Sequence, residues 1–269
     1  MTSRALAWWH TSLCAIAVLN IVLWSLCALA VARACAPAHF CTGPCYIQLL
    51  LSGGYVAGCA FRCFLPVIDV PRLVLVDSRL SRVSIGRSIA TLAELCFAAQ
   101  WALVLHRLAP SSASPLGQAL PAAAVLALIV LAEGCSWYAV LTTGQRAHAA
   151  ENSLWGLSAA LVVAAVLAAG PHRFAGLYGQ VLAGGVLYVA FIFFYDVPMY
   201  WSRWHADQAR GHRYLSIADG WLDVRTRWTV SRRWQDWKDE LPWMSLYFSF
   251  GVWSSIWLVY ASLQSGHGS

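Results

Sequence analysis

Seven apolar runs, each long enough to cross a bilayer, fill most of this chain and leave it few folds to choose from. They lie near 8–31, 46–67, 88–106, 118–142, 152–170, 177–199 and 242–263. A helix needs about 17 to 25 mostly apolar residues to span the hydrocarbon. Inside lipid every backbone amide must be paired, which leaves helices and closed barrels. These runs are unbroken in Ala, Leu, Val, Ile, Phe and Trp and lack the alternating polar positions of a barrel strand, so they predict helices. Only 11% of the 269 residues are charged, against about 25% in soluble domains. The expectation is an all-α, polytopic membrane helix bundle with seven transmembrane helices, one transmembrane domain over 1–269.

The first run begins after a basic "MTSR" and ends in the small residues of "ALAVARA", features shared with secretory signals. Its apolar stretch exceeds the roughly 7 to 15 residues of a signal core, so it reads as a span. The fifth run, from Asn152 to just before Pro171, is the shortest argument for a helix, because it is only just long enough.

Orientation follows from the arginines, since Lys and Arg beside spans are retained on the cytoplasmic side. In a layout of seven spans, Arg4, Arg72, Arg79, Arg82, Arg87, Arg146 and the eight basic residues of 203–238 share one side. Arg33, Arg107 and Arg173 fall on the other. The N-terminus is therefore expected in the cytoplasm and the C-terminus outside, in a bacterial inner membrane or an organelle membrane. The net charge of +6 then faces membrane lipids, whose cytoplasmic leaflet is anionic. No feature calls for nucleic acid.

Three of the nine cysteines, Cys35, Cys41 and Cys45, cluster in the first external loop, "CAPAHFCTGPC". An oxidising compartment would support one disulfide among them. His39 lies between, but the spacing fits no established zinc pattern. Cys14, Cys27, Cys59, Cys63, Cys96 and Cys135 fall within spans, where free cysteine packs as a small apolar group. Gly54 and Gly58 form a small-xxx-small pair, a signature of close helix packing.

The largest segment between spans is 200–241, where six tryptophans alternate with arginines. Trp221, Val224 and Trp228 share one helical face, as do Trp234, Trp237 and Leu241, but the two sets do not join into one stripe. Two short interfacial helices fit, anchoring at headgroup depth or covering the bundle as a cytoplasmic lid.

Charges within the spans carry the functional argument. An ionised side chain at the bilayer centre costs about 2.5 to 3.5 kcal/mol even on a lenient scale. Glu94 and Glu133 lie about nine residues from the cytoplasmic ends of consecutive spans, on the order of 13 Å deep at 1.5 Å per residue. Arg62 is a candidate partner, Glu151 opens the fifth span and Asp196 nearly closes the sixth. With His148, Asn152, the hydroxyls of Tyr138, Thr142 and Thr143, and the indoles of Trp137 and Trp155, these residues outline a polar pocket in the cytoplasmic half. Packing alone requires none of them, although buried ion pairs and a carboxylate at a helix N-terminus account for some.

His148 and Glu151 stand three apart and share a face if the helix begins at or before His148. Such a pair can act as acid and base. With His205, His212 or Asp196 it could also bind a metal, although no metal-binding motif is present. The only lysine, Lys238, lies outside the spans, which removes a retinal Schiff base. No Walker loop, dinucleotide fingerprint, nucleophile elbow or zinc-protease helix occurs, and the sequence implies no particular cofactor.

Three functions remain. An intramembrane enzyme would act on a lipid or isoprenoid substrate through Glu94, Glu133, His148 and Glu151. Arg62 would hold an anionic head group, Trp137, Tyr138 and Trp155 would stack on the substrate, and Asn152 and Asp196 would line the site. A proton-coupled transporter or channel would use Glu94 and Glu133. A non-catalytic assembly or receptor subunit would dock through 200–241.

Overall fold

In a computed structural model, which describes residues 3–35, 43–109, 114–171 and 178–265, α1 (Ser3–Cys35), α2 (Gly43–Phe64), α3 (Val83–Leu108), α4 (Pro115–Thr142) and α5 (Gln145–Ala169) follow in order. The sixth span joins α6 (Tyr178–Phe191) to α7 (Val197–Ala209) through a π-helical turn at Ile192–Asp196. The short α8 (Ile217–Thr226) and α9 (Trp234–Trp237) precede the last span, in which α10 (Leu241–Leu246) and α11 (Val252–Ser265) are joined by a second π turn at Tyr247–Gly251. Seven of these helical stretches are long and apolar enough to cross a membrane. The chain is thus an all-α bundle compatible with a multi-pass membrane protein.

Several boundaries differ from the sequence reading. The fifth span begins at Gln145 and not at Asn152, because Thr143 takes a left-handed conformation (φ 61°) and ends α4 directly before Gly144. A turn this tight needs no longer loop, so polar residues of the expected loop become the first two turns of α5. The sixth span runs on to Ala209, ten residues past its expected end at 199. Amphipathic Trp201 and Trp204 continue the helix instead of starting a new one.

A small sheet was not legible in the sequence. Strands β1 (Val67–Ile68), β2 (Leu73–Val74) and β3 (Thr229–Val230) form it in the order β1-β2-β3, antiparallel and then parallel. With strands of two residues each, there is no alternation to read.

The chain divides into two compact units, Met1–Gln100 with Val224–Ser269, and Trp101–Asp223. The first unit has the larger apolar core, in which Leu6, Leu13, Tyr55, Cys59, Trp237 and Phe248 are buried together. Close approach of α2 and α3 rests on the small residues: a Cβ at Gly58 would stand 2.6 Å from that of Ala93, and one at Gly54 would stand 2.8 Å from the Cys96 sulfur. Polar side chains join the same spans. The Gln48 and Gln100 amides each donate to the other's backbone carbonyl, at 3.0 and 3.2 Å, and Gln100 also donates to the Ser255 carbonyl. In lipid such interhelical hydrogen bonds are worth about 0.6 to 2 kcal/mol each.

In the second unit, α4 and α5 form an antiparallel hairpin. The backbone N–H of Leu215 donates to the Thr142 carbonyl at 3.1 Å, fastening the approach to α8 against the hairpin turn. Gly185 of α6 lies against Val163 of α5, and Gly156 of α5 lies against Ile192 and Phe193.

Of the disulfide candidates, Cys41 and the side chain of Cys35 lie outside the described residues. Cys45 is buried, and its sulfur accepts from the Ser262 hydroxyl at 3.6 Å.

Candidate functional sites

Because α5 starts at Gln145, His148 and Glu151 both sit within its first two turns and point the same way. His148 Nδ1 and Glu151 Oε2 are 2.8 Å apart, and both residues are only 8% exposed. Nδ1 is thus the ring nitrogen that meets the Glu151 carboxyl group, which leaves Nε2 for another partner. The imidazole is held from the other side by Tyr200 of α7, stacked with ring centroids 5.1 Å apart. The Arg203 guanidinium lies 5.5 Å from the same tyrosine ring. Asn152 donates to the His148 carbonyl at 3.0 Å, fixing its side chain along the helix.

Further polar residues come to this level through the antiparallel helices. Eight residues separate His148 from Gly156, and eight separate Tyr200 from Ile192, the partners they meet across the interface. Asp196, between Ile192 and Tyr200 on the same span, is buried. Ser136 and Glu133 lie on α4, which the Thr143–Gly144 turn joins to α5. Glu133 and Ser136 are both buried. The Ser136 hydroxyl and the Gln145 Oε1 have no hydrogen-bond partner among the described residues.

The other expected members of this group range from buried to exposed. Tyr138 is 54% exposed, on the outer face of α4. Trp137 pairs with Trp221, centroids 6.1 Å apart. Trp155 is half-buried on α5. Thr142 donates to the Tyr138 carbonyl at 2.7 Å, while Thr143 meets His212 at 3.2 Å at the hairpin turn. His205 lies against the Trp204 ring. No three His, Cys, Asp or Glu side chains converge as a metal shell among the described residues.

Arg62 and Glu94 belong to the first unit, where they form a second cluster with residues the sequence reading did not single out. Arg87 Nη2 donates to Glu94 Oε2 at 2.7 Å, and the Tyr247 hydroxyl donates to Glu94 Oε1 at 3.2 Å. Asp69 lies between the guanidinium groups of Arg62 and Arg87, at 4.0 and 3.9 Å. Arg62 also donates to the carbonyls of Gly86 and Val67, at 3.4 and 3.1 Å. Arg62, Arg87, Glu94 and Tyr247 line a cleft with Gly58, Ala90, Trp243 and Phe248, and it has room for about one or two waters.

Arg87 and Glu94 are seven residues apart on α3, two helical turns, which puts them on one face. That spacing was available in the sequence. Arg87 was instead counted with the arginines that flank the span, because the apolar run begins only at Ser88. Tyr247 carries no such signal, since its approach to Glu94 depends on how the last span packs.

Compared with known protein families, curated proteins and solved structures, the chain matches none.

Proposed function

We propose that this chain is a multi-pass membrane enzyme that performs acid–base chemistry on a lipid or isoprenoid substrate, with the His148–Glu151 pair at its centre. The N-terminus is cytoplasmic and the C-terminus external in this reading. The observation that carries it is the buried 2.8 Å contact between His148 Nδ1 and Glu151 Oε2. A carboxyl group on one imidazole nitrogen orients the ring, so the other nitrogen can be presented to a substrate as the acid–base group. Glu133, Asn152, Trp155 and Asp196 line the substrate site around it. Positioned acid–base groups contribute about 10² to 10⁴ in rate.

The test is purification in mild detergent, with mass spectrometry of retained lipids, followed by incubation of the retained lipid class with wild type and variants. Turnover by wild type, abolished in His148→Gln and reduced by about 10² or more in Glu151→Gln, is the expected result. Turnover unaffected by His148→Gln would reject the assignment.

A second reading, proton-coupled transport using Glu94 and Glu133, is favoured by the cluster around Glu94, where an intramembrane carboxylate borders a cleft beside two arginines. Proton flux into proteoliposomes that is lost in Glu94→Gln, with no lipid turned over, would select it.

A further inference from the structure

The small sheet gathers two loops that are far apart in the chain. The backbone N–H groups of Thr229 and Ser231 donate to the carbonyls of Arg72 and Val74, at 2.9 and 3.0 Å, so the strand before α9 is bonded to the loop between α2 and α3. Side chains reinforce the join: the Trp228 indole donates to Asp77 at 3.2 Å, and the Arg82 guanidinium lies 5.8 Å from the same ring. The result is one fixed surface within the first unit.

Its charge is one-sided. Residues 77–82 and 225–236 together hold Arg79, Arg82, Arg225, Arg227, Arg232 and Arg233 against only Asp77 and Asp236, a net +4. All of these arginines except Arg82 are exposed. Leu80 and Val230 are exposed on the same segments, at 54% and 39%. The surface also sits close to the ends of the spans. Val67 follows Phe64, the end of α2, by three residues, a reach of at most about 10 Å, and the turn at Arg79–Ser81 leads directly into α3.

We propose that this arginine-rich surface is a docking platform for anionic lipid head groups in the leaflet that borders it. It extends the multi-pass reading and is independent of the His148–Glu151 chemistry. Guanidinium forks match phosphate geometry, exposed apolar side chains can enter the interface, and a tryptophan at headgroup depth suits the boundary. An acidic protein would meet the same charge, but the nearness of the span ends and the exposed Leu80 and Val230 favour lipid.

The full chain in neutral detergent, given equimolar phosphatidylglycerol and phosphatidylcholine, is examined by native mass spectrometry beside Arg225→Gln, Arg227→Gln, Arg232→Gln and the corresponding triple lysine variant. Each arginine near an anionic surface contributes about fivefold at moderate salt. The wild type is expected to retain phosphatidylglycerol preferentially, the glutamine variant to lose at least about tenfold of that preference, and the lysine variant to keep most of it. High salt should lower the wild-type preference without unfolding the chain. Equal retention of both lipids by wild type, or an unchanged preference in a folded glutamine variant, would overturn the proposal. So would a salt-sensitive acidic protein held at this surface by a chain indifferent to lipid charge.

Discussion

Arg87 and Glu94 show how strongly a residue's role depends on burial. Both lie in α3 with at most 6% of their surface exposed, and each is costly without the other. Breaking a buried pair by removing one partner costs about 3 to 5 kcal/mol. Glu94→Gln should therefore lower thermal stability by several degrees in detergent, and the double variant Arg87→Gln, Glu94→Gln should recover part of it. Additive losses in that cycle would show that the two do not stabilise each other. At the surface, the Ser231 hydroxyl and the Arg233 guanidinium hold the Asp236 carboxyl below its usual range. A depressed folded-state pKa means that the stabilisation is present above the ordinary carboxylate value and is lost as pH falls through the lowered one. Hydrogen-exchange protection over 229–237, corrected for the intrinsic rate at each pH, should fall in acid, and Asp236→Asn should flatten that dependence. The His148–Glu151 pair was legible as a three-residue spacing, whereas the partners Tyr200 and Tyr247 were not, since both come from other spans.

Two of the spans contain π turns, and each displaces backbone groups from the regular ladder. In the second, Asn20 donates to the Phe248 carbonyl at 2.8 Å and accepts from the Trp253 indole at 2.9 Å. Asn20→Leu would leave the buried Phe248 carbonyl without that partner, at about 1 to 3 kcal/mol. A loss of stability below about 1 kcal/mol would show that the asparagine is dispensable to the turn. Pro198 and Pro242 mark interruptions in the spans that contain these turns, but neither the sequence nor the hydropathy announces a π turn. A tighter constraint lies at α8, where a Cβ at Gly220 would fall 2.0 Å from the Leu141 carbonyl oxygen. Backbone cannot step aside as a flexible side chain can, so Gly220→Ala should push α8 from the hairpin end and cost about 1 to 3 kcal/mol. The measurement is the thermal midpoint together with hydrogen exchange at Leu215, whose N–H donates to the Thr142 carbonyl.

For the molecule as a whole, orientation is open to a direct test. Lys238 is the only lysine, and with seven spans it should share a side with the N-terminal amine. An impermeant amine reagent applied to sealed inverted vesicles should label both, and right-side-out vesicles should protect both. Labelling of Lys238 from the external side would reject the arrangement.

The seven long apolar helices were legible in the sequence alone, because a continuous apolar run can pair its backbone within itself only as a helix, and hydropathy reports that locally. The sequence also marked Glu94, Glu133, His148 and Glu151, since polar groups are conspicuous in apolar runs. Tertiary structure alone decided which partners those groups meet. Arg62, Arg87 and Tyr247 converge on one cleft from three parts of the chain, and Tyr200 reaches His148 from a different helix, because packing between helices has no counterpart in residue order. The sheet that fixes Trp228 beside Asp77 has the same origin: its pairing is long-range, and no two-residue strand declares its partner.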